Sequence, residues 1–130
     1  EHSTESMVSG VKTFVIKNEE EFSKLLNQES KLVEEVLKLL KENNSEKLGE
    51  KINQNQEYLE TIGISNNQLK KMIEIGQKTS FGAKITGSGG GGCIFALTNE
   101  SNVEQSLKEF KDKNFECFSA EIDFKGLDTF

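Results

Sequence analysis

Apolar positions recur with helical spacing through the first sixty per cent of the chain and take on strand character only afterwards. Met7, Val8, Val11, Phe14 and Val15 stand at i, i+1, i+4, i+7 and i+8, one apolar stripe, with Ser3 or Thr4 suited to cap its start. Asn18 with Glu21 reads as a cap and its carboxylate three residues on. Phe22, Leu25, Leu26, Leu32, Val33, Val36, Leu37 and Leu40 then carry a stripe to Asn43-Asn44. A face that broad predicts a well-buried second helix. Leu48, Ile52, Leu59 and Ile62 predict a third helix ending at Gly63, with a wholly polar middle turn from Asn53 to Gln56 that weakens the pattern. Ser65 with Gln68 forms a capping-box pattern that opens a short helix on Leu69, Met72, Ile73 and Gly76.

After Thr79 the pattern changes. Ala83 to Thr86 is a strand candidate, Gly87 to Gly92 holds five glycines in six residues, and Cys93 to Thr98 is a continuous apolar run of strand length. Ser101 with Glu104 predicts another capped helix on Val103, Leu107 and Phe110. Phe118, Ala120, Ile122 and Phe124 then alternate as a final strand. The order is four helices, strand, strand, helix, strand. It predicts an α+β fold with a ferredoxin-like antiparallel sheet and helices on one face, in a single domain over 1–130 whose first strand would lie before Glu1. The start at Glu1 rather than Met agrees with a piece of a longer protein.

Composition narrows the function classes. At 34% apolar and 29% charged, with no window of eighteen apolar residues, the chain reads as soluble and not membrane-spanning. Sixteen basic against twenty-two acidic residues give a net charge of −6, which offers no electrostatic footprint for nucleic acid. A single histidine, His2, excludes His-rich metal sites and Ser-His-Asp chemistry within a folded core. Cys93 and Cys117 are too few for a disulfide framework and read as small buried hydrophobes in a reducing, cytoplasmic compartment. Glu19-Glu20-Glu21 and Glu34-Glu35 read as a solvated helix face.

The glycine stretch is the candidate for chemistry. Gly87, Gly89 and Gly92 satisfy a literal G-x-G-x-x-G, but a dinucleotide fingerprint needs a helix after the glycines, and here Cys93 to Leu97 reads as a strand. A Walker A loop fails as well, because Cys93 stands where Gly-Lys-Ser/Thr should close it. A hairpin needs only one or two residues at positive φ, and each further glycine costs about 0.5–1 kcal/mol in conformational entropy relative to alanine. Five in six are explained better by a backbone that lies against a phosphate, a substrate or another segment.

Lys84-Ile85-Thr86-Gly87-Ser88-Gly89-Gly90-Gly91-Gly92-Cys93 resembles the third conserved motif of GHMP-superfamily kinases, and four consecutive glycines before Cys are most similar to the mevalonate kinase branch. Ile64-Ser65-Asn66-Asn67-Gln68-Leu69 is similar to the family's Gly-Val-Ser helix start. Ser3-Thr4 with Val8, Gly10 and Val11 resembles its Asn/Ser-Thr-x-x-x-Val-x-Gly-Val segment. The resemblance implies the C-terminal domain of an ATP-dependent small-molecule kinase. Mevalonate or a similar substrate would be shared with an N-terminal domain that holds most of the ATP and Mg²⁺ contacts. The implied contacts to substrate and phosphate loop are Thr4, Thr86, Gly87, Ser88, Gly89, Gly90, Gly91 and Gly92, with no catalytic side chain and no metal ligand in this chain. It leaves room for a homodimer of the full-length enzyme and implies no nucleic-acid or membrane partner.

The chain departs from the family pattern at His2, where Arg is frequent, and at Glu5, where a basic residue is frequent. The guanidinium expected near substrate carboxylate or phosphates is therefore lacking. The alternatives are another GHMP kinase, such as a galactokinase or homoserine kinase, or a free-standing ferredoxin-like module whose glycine loop binds a small anion or a partner.

Overall fold

The computed structural model describes residues 4–87 and 92–121. Helices α1 (Thr4–Lys17), α2 (Glu19–Lys41), α3 (Ser45–Thr61) and α4 (Asn67–Thr79) precede strands β1 (Gly82–Thr86) and β2 (Cys93–Leu97), and α5 (Val103–Asp112) follows. The strands form an antiparallel pair with Ala83 opposite Ala96 and Ile85 opposite Ile94. Among the described residues no helix is long and apolar enough to cross a membrane.

Asparagines and one glycine punctuate the helices. Asn43 takes a left-handed φ of 52° and closes α2, with the amides of Asn43 and Asn44 donating back to Leu40 and Leu39. Asn44 then caps α3, its side chain accepting from the Lys47 amide at 3.1 Å. Gly63, at φ +83°, ends α3 with the same pair of bonds, Gly63 to Glu60 and Ile64 to Leu59. Asn114 at φ 62° closes α5 likewise.

Three caps differ from the sequence expectation. Helical bonding runs through Asn18, whose amide donates to Phe14 while its carbonyl accepts from Phe22. Its side chain turns back to donate to the Phe14 carbonyl instead of capping α2. Asn66, not Ser65, caps α4, because Asn66 has the extended backbone that lets Oδ1 reach the Leu69 amide at 2.8 Å. Ahead of α5, Asn99 and Asn102 exchange side-chain and backbone bonds in a local turn, so the start passes from Ser101 to Asn102, which makes no side-chain cap bond.

The core lies between α4 and the strand pair. Leu69, Ile73, Ala83 and Ile85 are buried together, with Leu59, Met72, Ile94 and Ala96 packed against them. Gly76 lets the helix approach closely, since a Cβ there would stand 2.6 Å from the Ala83 methyl. On the far side of α4 a buried bond of 2.8 Å joins the hydroxyls of Thr79 and Ser106 and ties α5 down. The helix α4 covers one face of the sheet and α3 lies against β1, an α+β arrangement.

Two expectations are not met among the described residues. Residues 115–121 are irregular and Phe118 is 87% exposed, while Ile122 and Phe124 lie outside the described residues. Alternation alone does not make a strand without a hydrogen-bonded neighbour, and none pairs with 118–121 among the described residues. In α2 only Leu32 and Leu39 are buried, while Leu26, Val33, Leu37 and Leu40 stay between 49% and 56% exposed. The helix is apolar over more than one face, and α3 occupies only part of that circumference.

Gly49 is the tightest backbone contact. A Cβ there would collide with the Phe81 carbonyl, whereas a Cβ at Gly10, inside α1, would meet nothing within 4 Å. Gly49→Ala should lower unfolding free energy by about 1–3 kcal/mol through overpacking, despite alanine's better helix propensity. Gly10→Ala should raise it by about 0.5–1 kcal/mol. Urea denaturation of the two variants should show shifts of opposite sign, and equal shifts would contradict the close approach of α3 to β1.

Candidate functional site

The glycine loop leaves β1 at Thr86 and returns at Cys93, its partner across the hairpin. Gly87 has φ +79°, which a side chain rarely adopts, and nothing lies within 4 Å of where its Cβ would be. Thr86, Gly87 and Gly92 are exposed, so both ends of the loop are open to an incoming group. Ser88, Gly89, Gly90 and Gly91 lie outside the described residues.

Beneath these open ends β1 is held on three sides. One edge pairs with β2. The buried face, Ala83 and Ile85, rests on α4. The second edge meets α3, where the amides of Ala83 and Ile85 are accepted not by a strand but by side chains. Asn53 Oδ1 takes Ala83 N–H at 2.9 Å, and Gln56 Oε1 takes Ile85 N–H at 2.8 Å. Gln56 is 1% exposed, and its Nε2 donates to Glu60 Oε1 at 3.2 Å. Gly49 and Gly82 permit the approach, since a Cβ on either would strike the other segment's backbone. The polar turn that weakens the α3 pattern is thus the surface on which β1 sits.

Opposite the buried face, strand alternation puts Lys84 and Thr86 on one side with their partners Phe95 and Cys93. Cys93 is exposed, not buried as expected, because its strand position falls on this open side. Cys117 is partly buried and donates weakly to the Leu107 carbonyl. Lys84 also lines a cavity of about 290 Å³ with Phe22, Leu25 and Leu26 of α2 and Tyr58 and Leu59 of α3. At its polar end Asn55 donates to both Glu29 oxygens at 2.7 and 2.6 Å, while its Oδ1 has no partner among the described residues. This cavity lies between α2, α3 and Lys84 of β1.

Thr4 is placed at the exposed start of α1, a helix with no buried residue whose packing runs to α2. The described residues therefore bring Thr86, Gly87, Gly92 and Cys93 together. Among the described residues no three His, Cys, Asp or Glu side chains converge to hold a metal. Sequence reasoning missed Gly49, Asn53 and Gln56. The available signal was a run of carboxamides inside an otherwise amphipathic helix, preceded by a helical glycine.

Comparison with known proteins places this geometry. The family model for the C-terminal part of GHMP kinases matches residues 36–117, well over half of the chain. A mevalonate kinase of Methanocaldococcus jannaschii is 36% identical over 57% of this chain and 24% of its own length. One from Methanothermobacter thermautotrophicus is 30% identical over 95% of this chain and 41% of its own. Among solved structures, L. major mevalonate kinase in complex with R-mevalonate superposes with a TM-score of 0.80 at 22% identity, over 87% of this chain and 35% of that one. The Methanococcus jannaschii mevalonate kinase superposes with a TM-score of 0.73 at 32% identity, over 86% and 33%. The chain thus spans between about a quarter and two fifths of the length of these relatives. With the family match running from the last two turns of α2 through β1, the glycine loop and α5, the chain belongs to the GHMP kinase C-terminal family.

Proposed function

We propose that this chain is the C-terminal portion of a mevalonate kinase, and that its glycine loop closes against the transferring phosphate from one side of the substrate cleft. The observation that carries the reading is the exposed ends of a glycine-rich segment, Thr86, Gly87 and Gly92, carried by a strand fixed along both edges and one face, in a chain similar to mevalonate kinases over most of its length. Phosphoryl transfer rests chiefly on positioning and on electrostatic stabilisation of the equatorial oxygens, so backbone amides suffice where no catalytic side chain stands.

In this reading Thr86, Gly87, Ser88, Gly89, Gly90, Gly91 and Gly92 supply amides and hydroxyls to phosphate. Thr4, at the start of α1, offers a hydroxyl beside a helix N-terminus, an environment that favours anions. The exposed, unobstructed Gly87 fits a phosphate-bearing nucleotide, because an anion can reach the backbone directly. MgATP, when bound, supplies the phosphoryl group and the cation that neutralises charge on it. The acid–base groups and most nucleotide contacts belong to the remainder of the longer protein, and Asp123 and Asp128 are not assigned as bases.

Calorimetry, steady-state kinetics and thermal unfolding test this. The 130-residue chain alone should show no micromolar affinity for MgATP by calorimetry, and such affinity would move the nucleotide site into this chain. In the longer protein, mevalonate-dependent ADP formation is expected, and Gly90→Val should lower kcat/KM on the order of 100-fold, the effect of about a 1 Å misplacement, with thermal unfolding little changed. Wild-type kcat/KM in that variant would reduce the glycines to a turn. Absence of activity on mevalonate with activity on another small alcohol would reassign the substrate.

A further inference from the structure

We propose that Gln56, assisted by Asn53, is a positioning residue for the glycine loop: α3 sets the height and direction at which β1 delivers the loop to its phosphate. The inference rests on the kinase reading for its functional consequence and on the α3–β1 geometry alone for its structural one.

Ala83 and Ile85 are two apart in a strand, so their amides point to the same edge, about 6.6–6.8 Å from one another along the chain. Asn53 and Gln56 are three apart on one helix face, with a rise of only about 4.5 Å between them. The longer Gln side chain makes up the difference. It reaches the Ile85 amide at 2.8 Å while the shorter Asn takes Ala83 at 2.9 Å. The Gln56 carboxamide is held in this sense by Glu60, which accepts from Nε2 and so turns Oε1 toward the strand. Ile85 precedes Gly87 by two residues, and Thr86 between them pairs with Cys93 at the loop's return. Any tilt of β1 at Ile85 therefore moves both ends of the loop. Ile85 is 2% and Gln56 1% exposed, so water does not replace the bond between them.

A role confined to stability is separable from positioning. Gln56→Met keeps the volume and removes the acceptor. Thr79→Val breaks the buried bond to Ser106 on the far side of α4 and serves as the comparison of similar cost. In the longer protein, Gln56→Met should lower kcat about tenfold or more, while Thr79→Val, with a comparable fall in Tm, should keep kcat within about twofold. In the 130-residue chain, amide exchange followed by NMR should quicken about tenfold at Ile85, Gly87 and Cys93 in Gln56→Met, with the α5 amides unchanged. Equal kcat losses in the two variants, or exchange that quickens uniformly across the chain, would overturn the proposal. If the wild-type longer protein does not phosphorylate mevalonate, the functional reading falls and the exchange comparison still decides whether Gln56 governs the loop.

Discussion

Two carboxamides from one helix, accepting two amides from one strand, are the interaction on which the rest of this structure depends. A buried backbone N–H without a partner costs about 1–3 kcal/mol, and β1 has no strand on its α3 side among the described residues. Asn53 and Gln56 take the place of that strand. Their presence requires α3 to lie against β1 at backbone distance, which requires glycine at 49 and 82. Once α3 is fixed, α2 is fixed in turn, through Asn55 to Glu29 and through the Lys51–Glu35 ion pair. The opposite face of β1 is then free to receive α4, with Gly76 over Ala83.

This layout puts a firm base under a glycine-rich segment. The strand is restrained by two helices and a second strand, whereas the segment that follows it is rich in glycine and begins with Gly87, left-handed and in open space. Glycine lets amides approach an anion without side-chain obstruction, but it contributes no rigidity of its own. Precision has to come from the supporting strand. That division of labour suits chemistry in which donors must be placed correctly and no side chain need react.

Much of this was legible along the chain. Helical stripes located all five helices among the described residues, and the composition around 87–92 marked the loop, because periodicity and glycine content are local properties. Where reading failed, the deciding contact was distant in sequence. Asn53 and Gln56 looked like a weak turn of α3 because their partners lie 30 and 29 residues away. Leu26, Val33, Leu37 and Leu40 looked like core because apolar spacing does not say which face finds a neighbour. Cys93 looked buried because its type is usually buried, while its register with Thr86 puts it on the open side. The caps slipped by one residue, from Ser65 to Asn66 and from Ser101 to Asn102, since several polar neighbours compete for the same amides.

The side-chain cover on β1 also bears on how the molecule behaves among copies of itself. A bare strand edge is a template on which another polypeptide can add a strand, the first step toward edge-to-edge aggregation. Here the two amides that such an intruder would need are already taken, and the helix that takes them stands in its path. A cover made of side chains closes the edge without adding a further strand, which would itself present a new edge. The same contact that seats β1 therefore shields a short strand from recruitment by other chains.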